Sequence, residues 1–280
     1  MLGQLIKHEF RATRRTVPFV YLITLAMAGV NYLTVRLGIQ WLFTLTMVFL
    51  ILLAVSEVIV TYVLVISRFY KNLYSNEGYL MHTLPVRPRD LLVSKIVVSV
   101  TWMVASYLVL LGVFLVVIAA AAAQNHQTLS GLYDSIIQGS GITHIVSVPL
   151  AAFLIALYGL LSICYVLAQV FFSIAFGSTA RFHKQGVAGP IVTFLVVYFA
   201  MQMLALAFIV IVPLGVEFVQ GTSGQLTGLH LVGKGMLRML LQPPKTGGVI
   251  GLGSVVLMVL GSIGLFFATS RIMAKQTSLR

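Results

Sequence analysis

The chain has 280 residues, of which 59% are hydrophobic and only 9% charged, with a mean hydropathy of +1.03. Soluble domains carry about 25% charged residues, so this composition excludes an ordinary soluble domain and indicates an integral membrane protein. Eighteen Lys and Arg stand against six Asp and Glu, a net charge of +12; the basic residues fall mostly between apolar blocks, where topology and anionic lipid account for them and nucleic acid does not.

The first sixteen residues are predicted to form an interfacial amphipathic helix. Leu2, Leu5, Ile6 and Phe10 approximate one apolar face, opposite Lys7, Arg11, Arg14 and Arg15. That pattern suits a helix lying along the membrane surface and is too polar for a secretory signal. Crossing ~30 Å of hydrocarbon takes about 20 apolar residues. Six blocks qualify, at about 17–37, 41–66, 96–123, 147–176, 190–214 and 247–270. The expected fold class is therefore an all-α integral membrane protein with six spans, forming a single domain over 1–280. A tight helical hairpin is expected around Gly38–Gln40, and Pro18 and Pro190 stand near span starts, where a missing N–H costs little.

With the N-terminus inside, fourteen Lys and Arg fall in cytoplasmic segments and four, Arg36, Lys234, Arg238 and Lys245, outside. This positive-inside bias places both termini in the cytoplasm of a multi-pass protein. The sixth block holds Gly247, Gly251, Gly253, Gly261 and Gly264, small residues that permit close helix approach.

Between the second and third blocks lies RFYKNLYSNEGYLMHTLPVRPRDLLVSK (Arg68–Lys95). It is expected to begin as a continuation of the second helix, to break at Asn76–Gly78, and to turn between Pro85 and Pro88, with Asp90 capping the next helix. Tyr79, Leu80, Met81 and Leu84 give a short helix an apolar surface that a purely polar connection would not need. Two readings stand: an ordered basic loop that satisfies topology, or a docking helix for a cytosolic protein. After Pro213, Leu229, Val232, Met236, Met239 and Leu240 fall at helical spacing, predicting an external interfacial or re-entrant helix over 226–242 that ends at Pro243–Pro244.

Glu57 lies within the second block. An ionised carboxylate in hydrocarbon is costly, so it must face a bundle interior, a cavity or a basic partner, or carry a proton. A helix–helix hydrogen bond, a conduit-lining role and a coupling proton remain open. Asn31, Gln169 and Gln202 are neutral counterparts, lining a translocation path or bonding a neighbouring helix. The lone Cys164 excludes an intrachain disulfide. The six histidines form no HExxH or other metal motif, and neither GxSxG nor the phosphate-cradling GxxxxGK[ST] occurs, so no catalytic residues, no metal and no ATPase activity are expected of this chain.

LIKHEFRATRR at the N-terminus, followed by a segment carrying Glu77–Leu80 (EGYL), Leu84–Pro85 and Ser94–Lys95, resembles the permease subunits of bacterial ABC exporters of the second type. The likeness is nearest to Gram-positive lantibiotic and peptide-resistance forms. It spans the overall topology, but its specific pattern is confined to the first 95 residues. The resemblance implies that Glu77, Gly78, Tyr79, Leu80, Met81, His82 and Leu84 form a coupling helix on a separate nucleotide-binding subunit. It also implies that ATP and Mg sit on that subunit, with no cofactor bound by this chain. Two permeases, identical or homologous, would pair among membrane lipids in a bacterial cell membrane and export a peptide, lipid-like or drug-like amphiphile. The alternatives are a proton-coupled secondary transporter using Glu57 and a non-transport membrane scaffold.

Overall fold

The structure, a computed structural model, describes residues 2–74, 87–124, 128, 130–131, 134, 147–179, 186–220, 226–233 and 248–275. Seven helices and one small sheet are present among them: α1 (Leu2–Thr13), α2 (Val17–Arg36), α3 (Gln40–Tyr74), α4 (Pro88–Gln124), α5 (Val148–Gly177), α6 (Ala188–Ile211), β1 (Gly215–Gln220), β2 (Leu226–Val232), β3 (Gly248–Gly251) and α7 (Gly253–Lys275). Helices α2 to α7 are long and apolar enough to cross a membrane. The chain divides into two compact units, Met1–Tyr133 and Asp134–Ser278.

In the first unit α2, α3 and α4 pack on one another and α1 lies against α4. The α2–α3 hairpin turns on Gly38, whose φ of 70° is the left-handed conformation that ends a helix without a Cβ clash. Helix α3 has 35 residues and α4 has 37, about 52 and 55 Å at 1.5 Å per residue. Both exceed the hydrocarbon thickness, so the run Arg68–Tyr74 continues the second span as expected. Pro88 opens α4, leaving Asp90 inside the first turn rather than at the cap. There it favours the positive end of the helix dipole.

The packing is inverted relative to a soluble protein. Phe19, Leu22, Leu33, Val48, Ile51, Leu108 and Leu111 lie on the outside. The buried stripe of α3 runs Thr46, Leu50, Ala54, Glu57, Thr61, Val65, Phe69 and Leu73, at spacings of three and four that keep one helix face inward. Lipid exerts no hydrophobic drive between spans, so small and hydrogen-bonding residues hold them together. The apolar part of this interior is a cluster of Ala28, Leu50, Ala54 and Val113.

In the second unit α5, α6 and α7 pack pairwise. Two glycines set how closely they approach. A Cβ at Gly177 would lie 2.6 Å from the Pro190 backbone, and one at Gly253 would lie 1.9 Å from the Phe208 carbonyl oxygen. Gly264 has open space instead.

The segment expected to be an external helix departs from that expectation, and the fold is accordingly not purely helical. Leu226–Val232 is a strand, antiparallel to β1, and β3 pairs with the other edge of β1 in the order β2-β1-β3. The fifth span ends at Ile211 and the sixth begins at Gly253, each short of its expected limit because Gly215–Gln220 and Gly248–Gly251 join this sheet. Composition explains the outcome. Each interior glycine costs a helix about 1 kcal/mol, and Gly215, Gly221, Gly224 and Gly228 fall in or between the first two strands. Val212, before Pro213, takes the extended conformation that such a position favours. The helical spacing of Leu229 and Val232 coexisted with the alternation of Leu229 and Leu231, and pairing to β1 selected the latter. Residues 234–247 lie outside the described residues.

Replacing Gly253 by Ala is expected to destabilise by about 1–3 kcal/mol through overpacking against the Phe208 carbonyl. Thermal unfolding in detergent should show a lower midpoint for G253A and an unchanged one for G264A; equal midpoints would contradict the close approach.

Candidate functional site

The most concentrated polar chemistry in the first unit lies where α1 meets α3 and α4. The charged face expected of α1 is exposed at Lys7, Arg11, Arg14 and Arg15, while Leu5, Ile6 and Phe10 are half-buried. The most buried residues of α1 are polar: Glu9 and Thr13, one turn apart. The Glu9 carboxylate accepts hydrogen bonds from two cations, the Lys95 ammonium of α4 through Oε1 and Arg68 Nε of α3 at 3.2 Å through Oε2. Arg68 also donates to the Ala12 carbonyl, at 3.5 Å. Lys95 is only 4% exposed, so its charge is held where water cannot solvate it and Glu9 must do so instead.

Trp102 of α4 completes the tie. Its indole N–H donates to Thr13 Oγ1 at 2.8 Å, and its carbonyl accepts from the Tyr21 hydroxyl of α2 at 2.8 Å. Its ring packs against Phe10 and Tyr21, with centroids 5.8 and 6.3 Å away. One N-terminal helix is therefore joined to α3 by charge and to α4 by charge, hydrogen bond and ring contact, while α4 also binds α2.

Deeper in the unit, Glu57 is 1% exposed and accepts a 2.7 Å hydrogen bond from Ser106 of α4 through Oε1. Among the described residues its Oε2 has no hydrogen-bond partner. Asn31 is fully buried; its amide donates to Thr46 Oγ1 at 3.0 Å, and Thr34 lies 3.3 Å from the same hydroxyl. Asn31 thus bonds a neighbouring helix. Thr46 and Glu57 are eleven residues apart on α3, about 16 Å of helix, so Asn31 and Glu57 form two separate polar stations.

In the second unit Gln169 is buried on α5 and Gln202 is exposed on α6. No residue in the most apolar window of α6 is buried. Glu217 stands opposite His230 in the β1–β2 register. In the first unit Arg36 donates to the Tyr32 hydroxyl at 3.2 and 2.8 Å and stacks over that ring. Among the described residues no group of His, Cys, Asp and Glu could hold a metal ion. The expected coupling residues Glu77, Gly78, Tyr79, Leu80, Met81, His82 and Leu84 lie outside the described residues.

No protein-family model, curated protein or solved structure matches this chain.

Glu9 and Lys95 escaped the sequence reading, although a signal was there. Continuing the apolar face of α1 in steps of three and four from Leu2 through Leu5 leads to Glu9 and then Thr13, so a carboxylate on an otherwise apolar stripe called for a cation. Lys95, one residue before the expected third span, was one such group.

Removing the carboxylate should cost more than removing either partner's role at the surface. Glu9→Gln leaves Lys95 buried without a counter-charge, an expected loss of about 3–5 kcal/mol. The double variant Glu9→Leu with Lys95→Met should recover most of it. Thermal unfolding of the purified protein measures both, and a harmless E9Q would show that the pair is not buried in the membrane-embedded protein.

Proposed function

We propose that this chain is the permease subunit of an ATP-driven exporter of the second type, set in a bacterial cell membrane with both termini in the cytoplasm. ATP is hydrolysed by a separate nucleotide-binding subunit, and the cargo is a peptide, lipid-like or drug-like amphiphile carried outward between two permeases. Six helices of spanning length and the EGYL, LP and SK pattern support this reading. The observation that carries it is the tie at Glu9, because its two partners sit on the helices that flank residues 75–86. A motor pressing on the Glu77–Leu84 segment would meet α3 and α4 already joined through α1. Its push would displace them as one body instead of bending each alone. Coupling of this kind requires contacts that differ between two arrangements of the bundle, and the Arg68–Glu9 bond, at the more accessible edge of the cluster, is the candidate for remaking.

A second reading rests on Glu57. A carboxyl buried among α3 and α4 with one oxygen unpartnered is a candidate proton carrier, since intramembrane ionisable groups mark proton relays and ion paths.

Affinity purification in mild detergent with mass spectrometry separates the two. Stoichiometric recovery of an ATPase is expected, and its reproducible absence with the permease intact would sink the exporter. Tyr79→Asp with Leu80→Asp should abolish that association without preventing insertion. Under the exporter reading Glu57→Gln leaves ATP-dependent transport within a few-fold of the original; loss of transport in E57Q, together with activity that survives without the ATPase, would establish proton coupling instead.

A further inference from the structure

A cavity opens beside the Glu9 tie, at the corner where α1 passes into α2. Its volume is about 270 Å³, and it is walled by Thr16 and by Leu64, Ser67, Arg68, Lys71 and Asn72 of α3. The first four of these α3 residues recur at steps of three, one and three, which places them on a single helix face. Two cations and a set of hydroxyl and amide groups therefore converge on one hollow.

The charge balance next to it is incomplete. Lys95 and Arg68 share the single carboxylate of Glu9, so the buried cluster keeps one positive charge in excess. Arg68, whose side chain is 30% exposed, carries that excess to the wall of the cavity. Helix α2 also begins here: Thr16 stands at its N-cap position and makes no side-chain cap bond, leaving the first turn's positive dipole end facing the same corner. Val17 and Leu64 also line the cavity, and Val60, one turn from Leu64 along α3, is exposed on the apolar surface.

We propose that this cavity binds the phosphate of an anionic phospholipid. Arg68 and Lys71 take the phosphodiester oxygens, Thr16 and Asn72 supply hydrogen bonds, and the acyl chains leave past Leu64 and Val60 along α3. Guanidinium and ammonium groups with a helix N-terminus are a general phosphate cradle. A free phosphate ester would use the same polar wall, but it has no use for the apolar one. The lipid would neutralise the surplus charge of the Glu9 cluster and so brace α1 in place. The proposal does not depend on what the protein transports.

The test is native mass spectrometry of the full chain, delipidated in detergent and titrated with phosphatidylglycerol, phosphatidylcholine or inorganic phosphate. Phosphatidylglycerol should be retained in preference to phosphatidylcholine. Lys71→Gln and Thr16→Val lie outside the Glu9 tie, and the thermal midpoint of each lipid-free variant is measured beside its lipid binding. K71Q should weaken phosphatidylglycerol binding roughly ten-fold, the effect of one charge-assisted hydrogen bond. T16V should weaken it less, and Arg36→Gln, on the last turn of α2, should not change it. Equal retention of the two lipids, or binding indifferent to K71Q, would overturn the proposal. Displacement of phosphatidylglycerol by equimolar inorganic phosphate would overturn the lipid assignment and leave a site for a free phosphate ester.

Discussion

A carboxylate at the margin of hydrocarbon must be matched by charge, and Glu9 is matched twice. Everything at the N-terminal end of the first unit depends on that requirement. Without Glu9, Lys95 would sit buried on α4 with no anion, and Arg68 would lose the bond that turns it toward α1. The interaction is not an addition to net stability in any simple sense, because removing three charges from water costs energy that their attraction only offsets. Its value lies in specificity. An apolar α1 could slide or rotate on α4, whereas a helix whose one acid must meet two cations on two different helices has a single register.

The same constraint acts along the spans in neutral form. Asn31 with Thr46, and Glu57 with Ser106, replace the hydrophobic core that a soluble bundle would use. Between these stations small residues such as Ala28 and Ala54 let the helices close. The result is a bundle with polar and small residues inside and large apolar ones outside. The second unit relies more on glycine, with backbone contacts at Gly177 and Gly253 taking the place of side-chain bonds.

The spans could be read from the sequence because hydropathy over about 20 residues is an additive signal that tertiary context rarely overrides. The amphipathic N-terminal helix and the extension of α3 through Tyr74 were legible for a related reason, namely an unbroken period of 3.6. The region after Pro213 was not. Its apolar residues satisfy both a helical and an alternating template, and the deciding factor, pairing of Leu226–Val232 to Gly215–Gln220, is a relation between segments that no local window contains. The Glu9 tie belongs to the same class. Each of its members looks ordinary alone: an acid among basic residues, an arginine at a helix extension, a lysine at the foot of a span. Only the fold brings the three together.

The distance in sequence between the tied groups has a consequence for assembly. Glu9 precedes Arg68 by 59 positions and Lys95 by 86. Synthesis at about 5–20 residues per second separates the appearance of Glu9 from that of Lys95 by roughly 4 to 17 seconds. Arg68 is made within that interval, and the emergence of α4 then brings Lys95 and Trp102 to α1. Helix α1 thus gains its full set of partners only once α4 is made. Its complete docking reports that the third span has reached its place, since a chain halted before Lys95 lacks one of the two cations that Glu9 meets.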